Sequence, residues 1–323
     1  MKVLRTILCI GMVLFLLFTP GRLAARAQQP FVDARFVRNE TRFEGSIVLY
    51  HIVRARPYAG SLTQWLRARA AAYEKRHKGT YIEIEGMDEA AFYERMEHGR
   101  RPDAYSFFSG TLYRDRLGAI DDPGVPLIDG LFVTDRCVPY CFSGYLKLIK
   151  SPESAGERAY YADDITAARL GAGEDGANEM QADVLYLDFR RAGDLIRYRD
   201  GFALAQADPI DGFTDAVCWL GVDRETDEKK AEAIRGFFAY LLEPDAQQTL
   251  NALGLLSVRG DVRNAAPDAA LKPVFRAYET VETVDPFLWY AQYDALLADA
   301  GLARAGDAAA QARFSERLRE CTE

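Results

Sequence analysis

Residues 213–262 read FTDAVCWLGVDRETDEKKAEAIRGFFAYLLEPDAQQTLNALGLLSVRGDV. They open on an apolar run at 216–222 with the length and character of a buried strand. A polar turn follows, in which Thr226 can cap the next helix by accepting a backbone N–H bond. Ala231, Ile234, Phe237, Phe238, Leu241 and Leu242 then recur at helical spacing, giving that helix one apolar face. Glu243-Pro244 ends it and begins another, because proline is tolerated at a helix's first position. Gly254 suits a left-handed stop after Leu253. The order is strand, long helix, short helix, glycine, and an extended segment from 255 to 262. Taken alone, it also fits a helical hairpin packed on a sheet.

The chain before this stretch narrows the choice. Residues 46–53 (SIVLYHIV) form an apolar run of strand length. After a loop holding Pro57 and Gly60, Ser61 can cap a helix whose face carries Leu62, Trp65, Leu66, Ala72 and Tyr73. Lys75, Arg76 and Lys78, then Gly79, suit the negative end and the glycine stop of that helix. Residues 80–85 alternate like a strand, and 88–97 make a short helix burying Phe92 and Met96 and closed by Gly99. Residues 102–108 (PDAYSFF) are the third strand, and a helix is expected from Leu112. Strand-helix-strand-helix-strand is the mark of a parallel sheet wrapped by helices. Ligands of such sheets bind beyond the carboxyl ends of the strands. The loops 50–57, 85–88 and 107–111 are therefore the expected walls of a site.

Several residues in this order carry a family resemblance. They are Tyr73-Glu74-Lys75, Ile82-Glu83-Ile84, Gly99 and Pro102-Asp103, with Ala246-Gln247 and the segment from Leu255 to Arg259 in the opening stretch. Over roughly residues 46–300 the chain resembles the maltose-binding-protein-like, extracellular solute-binding proteins of ABC transporters. Val258 stands where that family usually has proline. The resemblance implies an α/β, two-lobed, periplasmic-binding-protein-like (type II) fold with a multi-strand hinge. Residues 46–140 and 217–265 would form the first lobe, and 141–216 and 266–323 the second. Residues 138–146 and 209–216 would cross between the lobes, and 182–189 would be a strand entering the floor of the second. The segment between the crossings, 143–214, is short for the family, so the second lobe offers fewer ligand contacts. The function implied is capture of a sugar or oligosaccharide by hinge closure and its delivery to the membrane permease of an ABC transporter. The alternatives are capture of a small anion or peptide, or an anchored binding-like protein without transport function.

Bulk properties agree with a globular pair of domains. The 323 residues are 49% hydrophobic and 27% charged. The first 27 residues hold Lys2, Arg5, Arg22 and Arg26 and no acid, which leaves −12 to the remainder of a chain at −8 overall. An acidic body of this kind makes a poor nucleic-acid binder. Residues 6–18 are apolar behind Lys2 and Arg5, Pro20-Gly21 breaks the run, and Ala25-Arg26-Ala27 offers a small-x-small cleavage site. This is the layout of a secretory signal at 1–27, cleaved or kept as an anchor, with a tether at 28–45. It places the body outside the cytoplasm, where Cys137, Cys141, Cys218 and Cys321 can form disulfides. Cys141 with Cys218, Cys137 with Cys141, and buried free thiols all remain open. There is no CxxC pair, and His51, His77 and His98 lie far from cysteine, so neither metal nor cofactor is expected.

Sugar recognition needs aromatic faces for C–H surfaces and planar polar groups for hydroxyls. The expected walls supply Tyr50, His51, Phe107 and Phe108, and the resemblance adds Tyr140, Phe142 and Phe213 on the crossings and Trp289 and Tyr290 where several family members carry a stacking aromatic. Any of these can equally serve a core. Arg190, Arg191 and Asp194 form a charged turn after an apolar strand. It is either a solvated turn or a clamp on a carboxylate, phosphate or hydroxyl. No phosphate-cradling GxxxxGKS, GxSxG elbow or HExxH is present, so no catalytic residue is assigned and no enzymatic activity is expected.

Overall fold

The computed structural model describes residues 43–54, 56–149, 158–171, 181–198, 206–209, 216–269, 271–278 and 289–322. The expected signal segment, nearly all of the tether, and Phe213 lie outside them. Among the described residues no helix is long and apolar enough to cross a membrane.

The strands fall into two sheets. The first begins with β1 (Gly45–Ile52), helix α1 (Leu62–Arg76), β2 (Thr80–Met87), helix α2 (Glu89–Glu97) and β3 (Ala104–Phe108). β1 pairs in parallel with both β2 and β3. β9 (Val217–Val222) then pairs antiparallel with β3 on one side and with β4 (Cys137–Phe142) on the other. The order is β2-β1-β3-β9-β4, so the sheet is closed by chain from both halves of the sequence. β3, β4 and β9 are buried at every position, which is why their sequences are mainly apolar, with Ser106 the polar exception, rather than alternating.

The second sheet holds β5 (Tyr145–Ile149), β6 (Ala159–Tyr161), β7 (Val184–Asp188) and β8 (Gln206–Pro209) in the order β6-β7-β5-β8. Helix α3 (Asp164–Arg169) follows β6, and α4 (Phe189–Tyr198) follows β7 directly. The quoted stretch continues from β9 into α5 (Glu228–Leu241) and α6 (Pro244–Gln248), with Pro244 in the first turn as its chemistry requires. Helices α7 (Lys272–Tyr278), α8 (Tyr290–Arg304) and α9 (Ala308–Thr322) complete the chain.

Each sheet has its own core. In the first, Tyr73 of α1 meets Phe237 and Tyr240 of α5 with ring centroids 5.4 and 5.6 Å apart. In the second, Tyr145, Ile165 and Ala168 pack with Tyr293, Leu296, Ala300, Ala303, Ala310 and Phe314 of the last two helices. Burying a ring such as Phe314 contributes about 1.5–3 kcal/mol, enough to seat the C-terminal helices on this lobe.

Four details differ from expectation. Asp227, not Thr226, caps α5 by accepting from Lys230 N at 3.0 Å, and Thr226 Oγ1 instead donates to Asp103 O at 3.0 Å. No long helix starts at Leu112. Its backbone is bridged to Trp289, which leaves only a 3-10 turn at Arg114–Arg116. The crossing at 138–146 is two strands of different sheets, separated at Ser143-Gly144. The C-terminal alanine-rich stretch, whose composition predicts one helix reaching Arg319, breaks near Gly306, where Asp307 Oδ1 accepts from Ala310 N at 3.1 Å and starts α9.

The crossings are tied to one another. Ser143 N donates to Ala216 O at 2.9 Å, joining the link after β4 to the link before β9. Phe142 and Leu256 exchange both backbone bonds, at 3.2 and 2.9 Å. These bonds make a multi-strand hinge between the two sheets.

Candidate ligand cleft between the two sheets

A cavity of about 200 Å³ opens where the two sheets face each other. The loop after β1 supplies Arg54, Arg56, Pro57 and Tyr58, and the end of β3 supplies Phe108. Opposite them stand Tyr145 at the start of β5, Asp188 at the end of β7, and Arg190 in the first turn of α4. Ser143 and Ala216, joined across the hinge, form the floor, and Leu62, Gly254 and Leu255 complete the first wall. β1, β3 and β7 all meet the cavity at their carboxyl ends, where an α/β sheet leaves room for a ligand.

The charged side chains are held by local structure. Arg54 Nη1 donates to Ser109 O at 2.6 Å, and its guanidinium lies 3.8 Å from the centre of the Tyr293 ring. Asp188 Oδ1 accepts from Arg191 N at 2.9 Å and so caps α4, which fixes one of its oxygens. Arg190 Nε stands 3.8 Å from Asp194 Oδ2, a loose pair in which both side chains are more than 40% exposed. Tyr58 is wedged. A Cβ at Gly254 would stand 2.5 Å from its Cβ, and a Cβ at Gly193 would stand 2.9 Å from its Cδ2. Gly254 also has φ +76°, so both backbone and space require glycine there. Tyr58 Oη donates to Asp268 Oδ2 at 3.3 Å.

Beneath the first wall lies a buried polar chain. His51 Nδ1 is 2.8 Å from Ser106 Oγ, which is 2.8 Å from Tyr140 Oη, and Cys218 Sγ donates to Tyr140 Oη at 3.2 Å. Burial lowers the His51 pKa to about 4, against the smaller opposing effect of a hydrogen bond to the Ser106 backbone. Burial likewise raises Tyr140 and Cys141 well above their ordinary values, and lifts Cys137 to about 12. Cys137, Cys141 and Cys218 are buried free thiols, although Cys141 and Cys218 are direct partners across β4 and β9. These groups brace the sheet and do not reach the cavity.

Of the twelve residues singled out from the sequence, Phe213 lies outside the described residues and the other eleven have several locations. Phe108 and Arg190 come together at the cavity. Tyr50, His51, Phe107, Tyr140 and Phe142 are buried in the first sheet, with Arg95 lying 5.5 Å over the Tyr50 ring. Asp194 sits beside Arg190, and Arg191 lies 5.4 Å over the Tyr160 ring. Trp289 starts α8, and the Tyr290 ring packs on Tyr113 and Tyr93 at 4.9 and 5.7 Å, away from the cavity walls. Arg54, Arg56, Tyr58, Tyr145 and Asp188 were missed as individuals. The signal for the first three was present in the sequence: Arg-x-Arg-Pro-Tyr directly follows an apolar strand.

Comparison with solved structures fixes the architecture. The GacH receptor of Streptomyces glaucescens, solved unliganded and with acarbose and an acarbose homolog, aligns over 87% of this chain and 99% of its own, with a TM-score of 0.58 and 14% identity. The chain has a two-lobed type II periplasmic-binding-protein fold. The galacto-N-biose/lacto-N-biose I-binding protein of a Bifidobacterium longum ABC transporter aligns over 85% of this chain and 96% of its own, with a TM-score of 0.57 and 10% identity. Maltodextrin-binding protein MalE1 from L. casei aligns over 87% of this chain and all of its own, with a TM-score of 0.55 and 10% identity. No family model and no curated protein matches the sequence. In this periplasmic-binding-protein fold the cavity occupies the space between the lobes, with wall residues from both.

Proposed function

We propose that this chain is an extracytoplasmic solute-binding protein that captures a sugar or short oligosaccharide between its lobes and presents it to an ABC-type permease. The lobes are drawn from 46–140 with 217–265 and from 141–216 with 266–323. One observation carries the proposal. The cavity has rings on both sides, Tyr58 and Phe108 from the first lobe and Tyr145 from the second, interspersed with hydrogen-bonding groups that suit sugar hydroxyls. Two of the similar structures are named for binding maltodextrin and lacto-N-biose I, and the GacH receptor was solved with acarbose, which supports the same ligand class. A ligand touching both walls favours the closed arrangement in proportion to its extra contacts there.

A thermal-shift screen of the secreted protein against an oligosaccharide array tests this. A ligand at one hundred times its Kd stabilises by about 2.7 kcal/mol, which a melting curve resolves easily. A melting temperature that rises with at least one carbohydrate is expected. A flat response across the whole array contradicts the proposal.

A further inference from the structure

Resting on the sugar-capture reading, we infer that the cleft selects a carbohydrate bearing a carboxylate, a uronate-type sugar, over its neutral counterpart. Three arginines line the cavity, Arg54 and Arg56 from the first lobe and Arg190 from the second, against one acidic residue, Asp188. That balance runs opposite to the chain, whose net charge is −8. Asp188 already gives one oxygen to the cap of α4.

The three arginines are not equivalent. Arg54 is spoken for by Ser109 O and the Tyr293 ring, and its charge is felt by half-buried Glu89 nearby. It is part of the wall's frame. Arg56 is exposed and takes part in no ion pair among the described residues. Arg190 has only the loose contact with Asp194 at 3.8 Å. One weakly matched cation thus faces the cleft from each lobe.

Closure around a neutral ring would strip water from both guanidiniums and return no charge. Burying a charge is unfavourable unless it is paired and hydrogen-bonded. A carboxylate on the sugar supplies that partner, and arginine's planar fork matches its two oxygens. The rings of Tyr58, Phe108 and Tyr145 around the same cavity favour an anion carried on an apolar-faced pyranose over inorganic phosphate, which has no face to stack.

The test is isothermal titration of the intact protein with matched neutral and uronate mono- and disaccharides of the gluco, galacto and manno series, with inorganic phosphate as a further arm, at low and high salt. The expected result is at least about tenfold tighter binding of one uronate than of its neutral match, narrowing as salt screens the pair. Arg190→Gln and Arg56→Gln should each remove most of that preference, with circular dichroism unchanged. Equal or tighter binding of the neutral sugars overturns this inference and leaves sugar capture standing. Binding of phosphate with neither sugar class overturns it in favour of a small-anion site. No binding in any arm overturns both this inference and the sugar-capture reading beneath it.

Discussion

The ring of Tyr58, from the first lobe, lies across Gly193 in the second, so close that a Cβ at residue 193 would stand 2.9 Å from Tyr58 Cδ2 and 2.8 Å from Leu271 Cδ2. The ring cannot retreat, because Gly254 backs it with equally little room. A glycine inside a helix normally destabilises by about 1 kcal/mol relative to alanine. Here the approach of the lobes offsets that penalty.

Gly193→Ala should therefore reverse the usual sign of a helical glycine substitution. The gain of about 1 kcal/mol in helix propensity is set against overpacking of about 1–3 kcal/mol at Tyr58 and Leu271. A net loss of about 1 kcal/mol is expected, with a larger loss of ligand affinity, because the wedge acts where the lobes meet. Chemical denaturation and calorimetry on the same variant separate the two effects. Increased stability with unchanged affinity would show that the lobes do not meet at this point.

Acid should destabilise the first lobe through His51. Its folded pKa of about 4 lies below the ordinary 6.5, so between these values the unfolded chain binds a proton that the native chain does not. The group's contribution is fully present above pH 6.5 and is lost as pH falls toward 4, by about 3 kcal/mol in all. His51→Gln should flatten this part of the stability profile relative to the unmodified protein. Parallel profiles for the two proteins from pH 7 to pH 4 would contradict the burial of a neutral imidazole.

Cys137, Cys141 and Cys218 should resist thiol reagents until the protein unfolds. All three are buried away from the reagent; burial also raises the Cys141 thiol, and Cys137, with a pKa of about 12, has almost no thiolate at neutral pH. Peptide mapping after alkylation, native against denatured, follows each thiol separately. Rapid native labelling of any of the three would show that the first sheet is open to solvent there.

Asp103 should be among the least replaceable surface-proximal residues. Its Oδ2 accepts from Val48 N at 2.8 Å, and its Oδ1 pairs with Lys230 Nζ at 2.8 Å, tying β1 to α5. Asp103→Ala removes both of these bonds in a half-buried setting and should lower stability by about 2–4 kcal/mol. Asp103→Asn, which keeps one acceptor, should lose less. A denaturation midpoint unchanged in Asp103→Ala would refute the tie.

The architecture was legible because it is written in local chemistry. Ser61 caps α1 and Asp88 caps α2 through their side chains, and Gly254 takes the left-handed stop at φ +76°. Between those marks the apolar spacing of α5 and the unbroken run of β9 leave few alternatives. What failed was decided at a distance. Leu112 lost its helix to a bridge with residue 289, and the 138–146 run was divided by the need to leave one sheet and enter another.

The cleft was less legible, for a related reason. An aromatic at the end of a buried strand reads the same whether it faces a ligand or the next helix. Phe107 and Phe108 differ only in the direction of the pleat, which puts one in the core and the other at the cavity. Tyr58 and Arg56 carry no periodicity at all, because they lie in a loop whose course depends on contacts with residues almost 200 positions away.

The most direct measurement is calorimetric titration of the unmodified protein, Tyr58→Ala and Arg190→Gln with the carbohydrate that gives the largest thermal shift. Capture between the lobes predicts that each substitution, one per wall, weakens binding by at least about tenfold, the loss of roughly one good contact. Full affinity in either variant would place the ligand on one lobe alone and contradict the account.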